Sequence, residues 1–191
     1  MGKGRLEAFS DGVLAVIITI MVLDMKAPQG ADFTALYGVL PVFLVYVLSF
    51  IYVGIYWNNH HHMLHAVEHI DGRSMWANLH LLFWLSLVPF VTGWMGENHF
   101  AALPTALYGV VLLMAGASYT LLQMSLVAAN GKNALLAHAV GRDLKGKLSV
   151  VCYLLAIPLA FVDQAISDVI YMLVAAMWFI PDRRIERVHA A

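Results

Sequence analysis

Charged residues are missing from most of this chain, and the gaps between them decide what it can fold into. No Asp, Glu, Lys or Arg occurs from Phe33 to Trp57, from Ser74 to Gly96, or from Asn98 to Gly131. Leu148 to Val162 and Val169 to Ile180 are shorter clean runs, with Asp163 and Asp168 between them. The first segment, Leu6 to Leu23, is apolar apart from Glu7, Ser10 and Asp11. A helix needs about 20 mostly apolar residues to cross a bilayer. The chain therefore reads as all-α, a polytopic membrane protein of six helices at roughly 5–25, 33–60, 73–97, 99–128, 145–163 and 165–181. Short loops use the remainder, so residues 1–191 form one transmembrane domain. The first segment is expected to stay as a permanent helix, because no A-x-A-like cleavage site precedes the polar turn at Lys26 to Asp32.

Composition excludes other classes. The chain is 61% hydrophobic and 12% charged, against about half and a quarter in an ordinary soluble domain. A soluble globule of this size cannot hide that much apolar surface. The lone cysteine, Cys152, rules out a disulfide scaffold and is expected to pack as a small apolar group. A formal net charge of −1 leaves no basic field for nucleic acid.

The few charges carry orientation. With six spans both termini share a side, and that side collects Lys3, Arg5, Arg73, Lys132, Arg142, Lys145, Lys147, Arg183, Arg184 and Arg187, ten of the 11 basic residues. The positive-inside rule then places both termini in the cytoplasm of a cell membrane. The outer side holds Asp24, Asp32, Glu97, Asp163 and Asp168 against Lys26. An acidic outer mouth, with Asp24 at the end of the first helix, would concentrate cations. External loops merely depleted of bases would look the same.

An ionisable residue inside a span is costly and tends to be functional. Asp11 is the clearest case, either hydrogen-bonded to a neighbouring helix or in contact with an ion. At 3.6 residues per turn, Gly12, Val16, Thr19, Ile20 and Leu23 share a stripe and Asp11 points nearly the opposite way. The stripe is apolar apart from the Thr19 hydroxyl, and pattern alone makes it ordinary lipid-facing or core surface.

Histidine is the second anomaly, with nine in the chain. His61, His65 and His69 share a face at the end of the second helix, a spacing that can suit a metal. No Cys or carboxylate pattern completes a familiar site, so interfacial histidines bonding headgroups or loop carbonyls are the simpler reading. His80 lies within the third helix, where a neutral imidazole could bond Asp11 or Ser10. Histidines on several spans could also ligate haem. There is no phosphate loop, nucleophile elbow or H-E-x-x-H. Thr92-Gly93-Trp94-Met95-Gly96 is not a potassium-channel carbonyl filter. The basic stretch Lys132 to Lys147 serves topology and suits anionic lipid.

The run Arg5-x-x-x-Phe9-Ser10-Asp11-Gly12-Val13, followed by Thr19 and Leu23, resembles the first-helix signature of the transmembrane protein 175 family of endosomal and lysosomal potassium channels. The likeness continues in Tyr56-Trp57-x-x-His60-His61, Asp71, Trp76-x-Asn78-Leu79-x-Leu81-Leu82-Phe83 and Ser86-x-x-Pro89-Phe90. It covers the first half of the chain; the second half matches in hydropathy and length only. The resemblance implies a homotetramer of six-helix subunits around one pore lined by the first helix. It places constriction rings at Val16, Ile20 and Leu23 and cation preference at Thr19. Val16 departs from a commoner isoleucine or leucine, which implies a wider ring. Arg5, Phe9, Ser10 and Asp11 would brace the first helix, with His61, Trp76, Asn78 and His80 as partners. Potassium and other monovalent cations would be the permeant ions, and membrane lipid the surroundings; no cofactor, resident metal or enzymatic activity is implied. A proton-coupled transporter, a histidine-ligated membrane cytochrome and a transport-inactive scaffold are the competing readings.

Overall fold

A computed structural model of the chain describes residues 2–131 and 143–179. Lys132, Arg142, Arg183, Arg184 and Arg187, used above for orientation, lie outside the described residues. Every regular element described is a helix: α1 (Lys3–Asp24), α2 (Phe33–His65), α3 (Gly72–Ser86), α4 (Val88–Glu97), α5 (Ala102–Asn130), α6 (Leu144–Leu159) and α7 (Gln164–Phe179). Four stretches are long and apolar enough to cross a membrane: α1, α2, α3 with α4, and α5. The described parts of α6 and α7 have 16 residues each, about 24 Å at helical rise. They form an antiparallel pair joined at the turn through Asp163, whose carboxylate accepts from the Ala165 N–H.

Two boundaries differ from expectation. The third span is broken: α3 stops at Ser86 and α4 restarts at Val88, with Pro89 in its first turn. Proline has no N–H to donate to the carbonyl four residues back and its ring crowds that carbonyl, so the helix re-starts there. The second helix runs past residue 60 to His65. It has 33 residues, about 50 Å against a hydrocarbon core of about 30 Å. Its last turns, with their histidines, therefore extend toward or beyond the interface.

Asp32, Asp71 and Asp143 cap α2, α3 and α6 by accepting from the backbone N–H three residues on. Hydrogen bonds from the Ser74 N–H and hydroxyl hold the Asp71 carboxyl below the usual carboxylate range.

The core is built on α5, which packs against α3, α4, α6 and α7. Hydrocarbon offers no water to spare polar groups, so buried hydroxyls must find protein partners. Ser49 on α2 meets Thr92 on α4 at 2.7 Å and Tyr108 on α5 at 3.0 Å. The Tyr52 hydroxyl donates to the Tyr171 carbonyl at 2.6 Å, and the Tyr171 hydroxyl to the Thr105 carbonyl at 3.1 Å. Gly109 is what admits that last contact, because a Cβ there would overlap the Tyr171 hydroxyl. Tyr171→Phe keeps the ring and removes one interhelical bond. It is expected to cost about 0.6 kcal/mol, the usual worth of such a bond in a membrane protein, measured by denaturant unfolding in mixed micelles.

Candidate functional site

Two faces of α1 divide its work. Leu6, Ser10, Leu14, Ile17 and Met21, spaced by three and four residues, are buried, and α1 packs against α2, α3 and α4. The opposite stripe is uncovered: Val16 is 54% exposed, Ile20 41% and Leu23 80%. Thr19 shares it, and its hydroxyl donates to the Val16 carbonyl at 2.9 Å. With its proton held by the helix, the Thr19 oxygen keeps lone pairs to offer outward.

A polar brace holds the buried face. The Ser10 hydroxyl donates to the Leu6 carbonyl at 2.9 Å and accepts from the Asn78 amide at 2.9 Å. The Asn78 oxygen stands 2.8 Å from His60 Nε2. A carbonyl oxygen only accepts, so Nε2 carries the proton. Ser10, Asn78 and His60 are all buried, and together they join α1, α3 and α2. A second contact line lies one helical face away. Trp57 Nε1 donates to Asp11 at 3.0 Å. One turn earlier on α1, Glu7 faces His61 and His65, and Lys3 donates to the Val67 carbonyl at 3.1 Å. Lys3, Glu7 and Asp11 are spaced by four on α1, as Trp57, His61 and His65 are on α2. Antiparallel helices bring such stripes into register.

Of the expected bracing partners, Asn78 and His61 lie against α1, through Ser10 and Glu7; His60, one residue and about 100° before His61, is the one that meets Asn78. Other expected partners are elsewhere. His80 does not bond Ser10 or Asp11: its Nδ1 meets the Ser118 hydroxyl on α5 at 3.0 Å, and its Nε2 accepts from Trp84 at 3.2 Å. Trp76 is 75% exposed. Both lie two residues from Asn78, about 200° around the helix, so neither can share its α1-facing side. Arg5 is exposed and Phe9 is 50% exposed, so neither is packed into the brace within one chain. Trp57 and His60 are bracing residues beyond those expected from the sequence, and the four-residue stripes on α1 and α2 are the signal that finds Trp57.

At the far end of α1, Asp24 is exposed beside Lys26, which pairs with Glu97 at 2.9 Å. That pair raises the Lys26 pKa, through its hydrogen bond to Glu97 first and the carboxylate charge second. Asp32 and Asp163 are engaged as caps. Asp168 lies a turn inside α7, where its Oδ1 is buried. Of the five acids assigned to this end, Asp24 is the one on the first helix.

The model of the endosomal/lysosomal potassium channel TMEM175 family matches residues 5–89, from α1 into the start of α4. A potassium channel of Chryseobacterium sp. (strain P1-3) is 51% identical over 187 residues, 98% of this chain and 97% of that one. The chain belongs to the TMEM175 family. The crystal structure of a lysosomal potassium-selective channel TMEM175 homolog from Chamaesiphon minutus superposes with a TM-score of 0.79 at 26% identity, covering 94% of this chain and 97% of that one. The second half of the chain, α5 to α7, is thus part of the same architecture. The human endosomal/lysosomal proton channel TMEM175 is 34% identical over 96 residues, 44% of this chain and 19% of its own length. The family is one of ion channels and not of enzymes. These names do not favour the membrane-cytochrome or proton-coupled transporter readings.

Proposed function

We propose that the chain is a passive, potassium-preferring cation channel in which four copies surround one pore lined by α1. The observation that carries this reading is the uncovered stripe of Val16, Thr19, Ile20 and Leu23 on a helix whose other face is braced by Ser10, Asp11 and Asn78. In a lone subunit such a stripe is simply apolar surface. Around a four-fold axis it becomes rings. A narrow apolar ring excludes an ion by dewetting, since it strips hydration and returns no ligand. Widening the ring readmits water and opens the path. Four Thr19 oxygens would meet a partly dehydrated ion, and a weak-field site of this kind favours potassium over sodium because potassium sheds water more easily. The protein sits in the cell membrane with both termini inside, as the basic residues at that end direct, and Asp24 marks the outer entrance.

Purified protein in liposomes tests this. Potassium should run down its gradient without a coupled ion, and faster than sodium. Val16→Ala should mainly raise conductance, and Thr19→Ala should mainly change the potassium-to-sodium ratio. If neither variant alters permeation, α1 does not line the pore. Flux that strictly requires a proton gradient replaces the channel with a transporter. Because one relative is named a proton channel, a pH-sensitive dye belongs in the same vesicles.

A further inference from the structure

We propose that Glu7, His61 and His65 form a binding site for a divalent transition metal of the Zn2+ class, tying the start of α1 to the end of α2. Each residue offers one donor atom, and the three atoms lie within 4.8 Å of one another. Glu7 Oε1 stands 3.3 Å from His61 Nδ1 and 3.6 Å from His65 Nε2. Both separations exceed a charge-assisted hydrogen bond of about 2.7–2.9 Å. They match co-ligands of one tetrahedral ion: with metal–ligand distances of about 2.0–2.1 Å, neighbouring donor atoms stand about 3.3 Å apart.

The donor set also selects. Two imidazoles and one carboxylate suit Zn2+ and its neighbours, whereas potassium, magnesium and calcium take oxygen ligands. The His61 and His65 side chains are 42% and 48% exposed and Glu7 22%. That leaves an entry path and room for water as a fourth ligand. The supporting groups are in place: His61 stacks on Trp57 with ring centroids 6.2 Å apart, and Trp57 is itself anchored on Asp11. Glu7 and Val16 are nine residues apart, about 180° around α1, so the site faces away from the permeation stripe and does not depend on it. The His61/His65 spacing is visible in the sequence. The carboxylate that completes it comes from a different helix, more than 50 residues earlier.

The test is a titration of the full chain in detergent with Co2+ and then Zn2+. Co2+ should produce a visible absorption band that saturates at one ion per chain and is displaced by Zn2+, and Zn2+ should raise the melting temperature. Glu7→Gln and His65→Asn should each weaken binding about tenfold or more and remove the Zn2+-dependent rise. His69→Asn should leave both unchanged, since His69 is held to Asn130 through its backbone. Glu7→Cys should keep the site and add a thiolate-to-cobalt charge-transfer band, a signature that a merely structural role for Glu7 cannot generate. Failure of the wild-type chain to bind at micromolar Zn2+ overturns the proposal. So does equal weakening by His69→Asn, or a Glu7→Cys variant that melts normally without metal yet lacks the thiolate band.

Discussion

Asn78→Leu is expected to release the buried face of α1 from the bundle and to cost about 2–4 kcal/mol of stability. Leucine is close to asparagine in shape, so packing is nearly kept and hydrogen bonding alone is removed. The amide now donates to Ser10 and accepts from His60. One interhelical hydrogen bond in a membrane is worth about 0.6 kcal/mol on average, so two lost bonds would account for little. The larger share comes from the His60 Nε2–H, left buried without an acceptor, at about 1–3 kcal/mol. Thermal unfolding followed by size-exclusion chromatography measures the loss, and potassium flux should fall with it as α1 loses its seat. Trp76→Leu is the comparison. The family signature groups Trp76 with Asn78, but its side chain faces outward, and the chain's stability should change by only about 0.5 kcal/mol. An Asn78→Leu variant that melts with the wild type would show that the Ser10–Asn78–His60 chain does not hold α1 in place.

Gly96→Ala should destabilise the chain by about 1–3 kcal/mol, toward the upper end of that range. A Cβ at Gly96 would stand 2.7 Å from the Val42 Cα, with the Val42 side chain at 3.2 Å. The obstacle is backbone, so no rotamer change can clear it. Relief requires α2 and α4 to move apart, and those two helices also carry the Ser49–Thr92 hydrogen bond. Helix propensity works the other way, since alanine gains about 0.5–1 kcal/mol over glycine, but that does not offset the overlap. Gly93→Ala, three residues earlier on the same helix, meets nothing within 4 Å and should show the propensity gain alone. Opposite signs at these two glycines, read from denaturant unfolding in micelles, would establish the close approach. Equal effects would refute it.

Much of the fold is legible in the sequence because hydrocarbon is a demanding solvent. Every backbone polar group must be paired within the segment, so a long run without charge has helix as its only economical form. Apolar runs with few or no charges therefore located α1, α5 and the start of α2 to within a few residues. The same logic missed the break at Leu87, since an apolar run reads alike on both sides of Pro89. It also stopped α2 at residue 60, because polarity marks where the membrane ends, whereas the helix continues to His65 until a terminating turn.

The sequence by itself determined that the chain is an all-helical membrane protein, that Asp11 needs a partner, and which family signature it carries. Hydropathy and motif are one-dimensional properties, and each is complete within its own segment. Only the tertiary structure decided which residues meet. Each helical residue advances the side chain by about 100°, so His60 turns inward to Asn78 while His61, its neighbour, turns to Glu7. His80, two residues past Asn78, is carried round to Ser118. The rotation and register of one helix against another belong to neither helix alone, and they set both the brace behind α1 and the cluster of Glu7, His61 and His65.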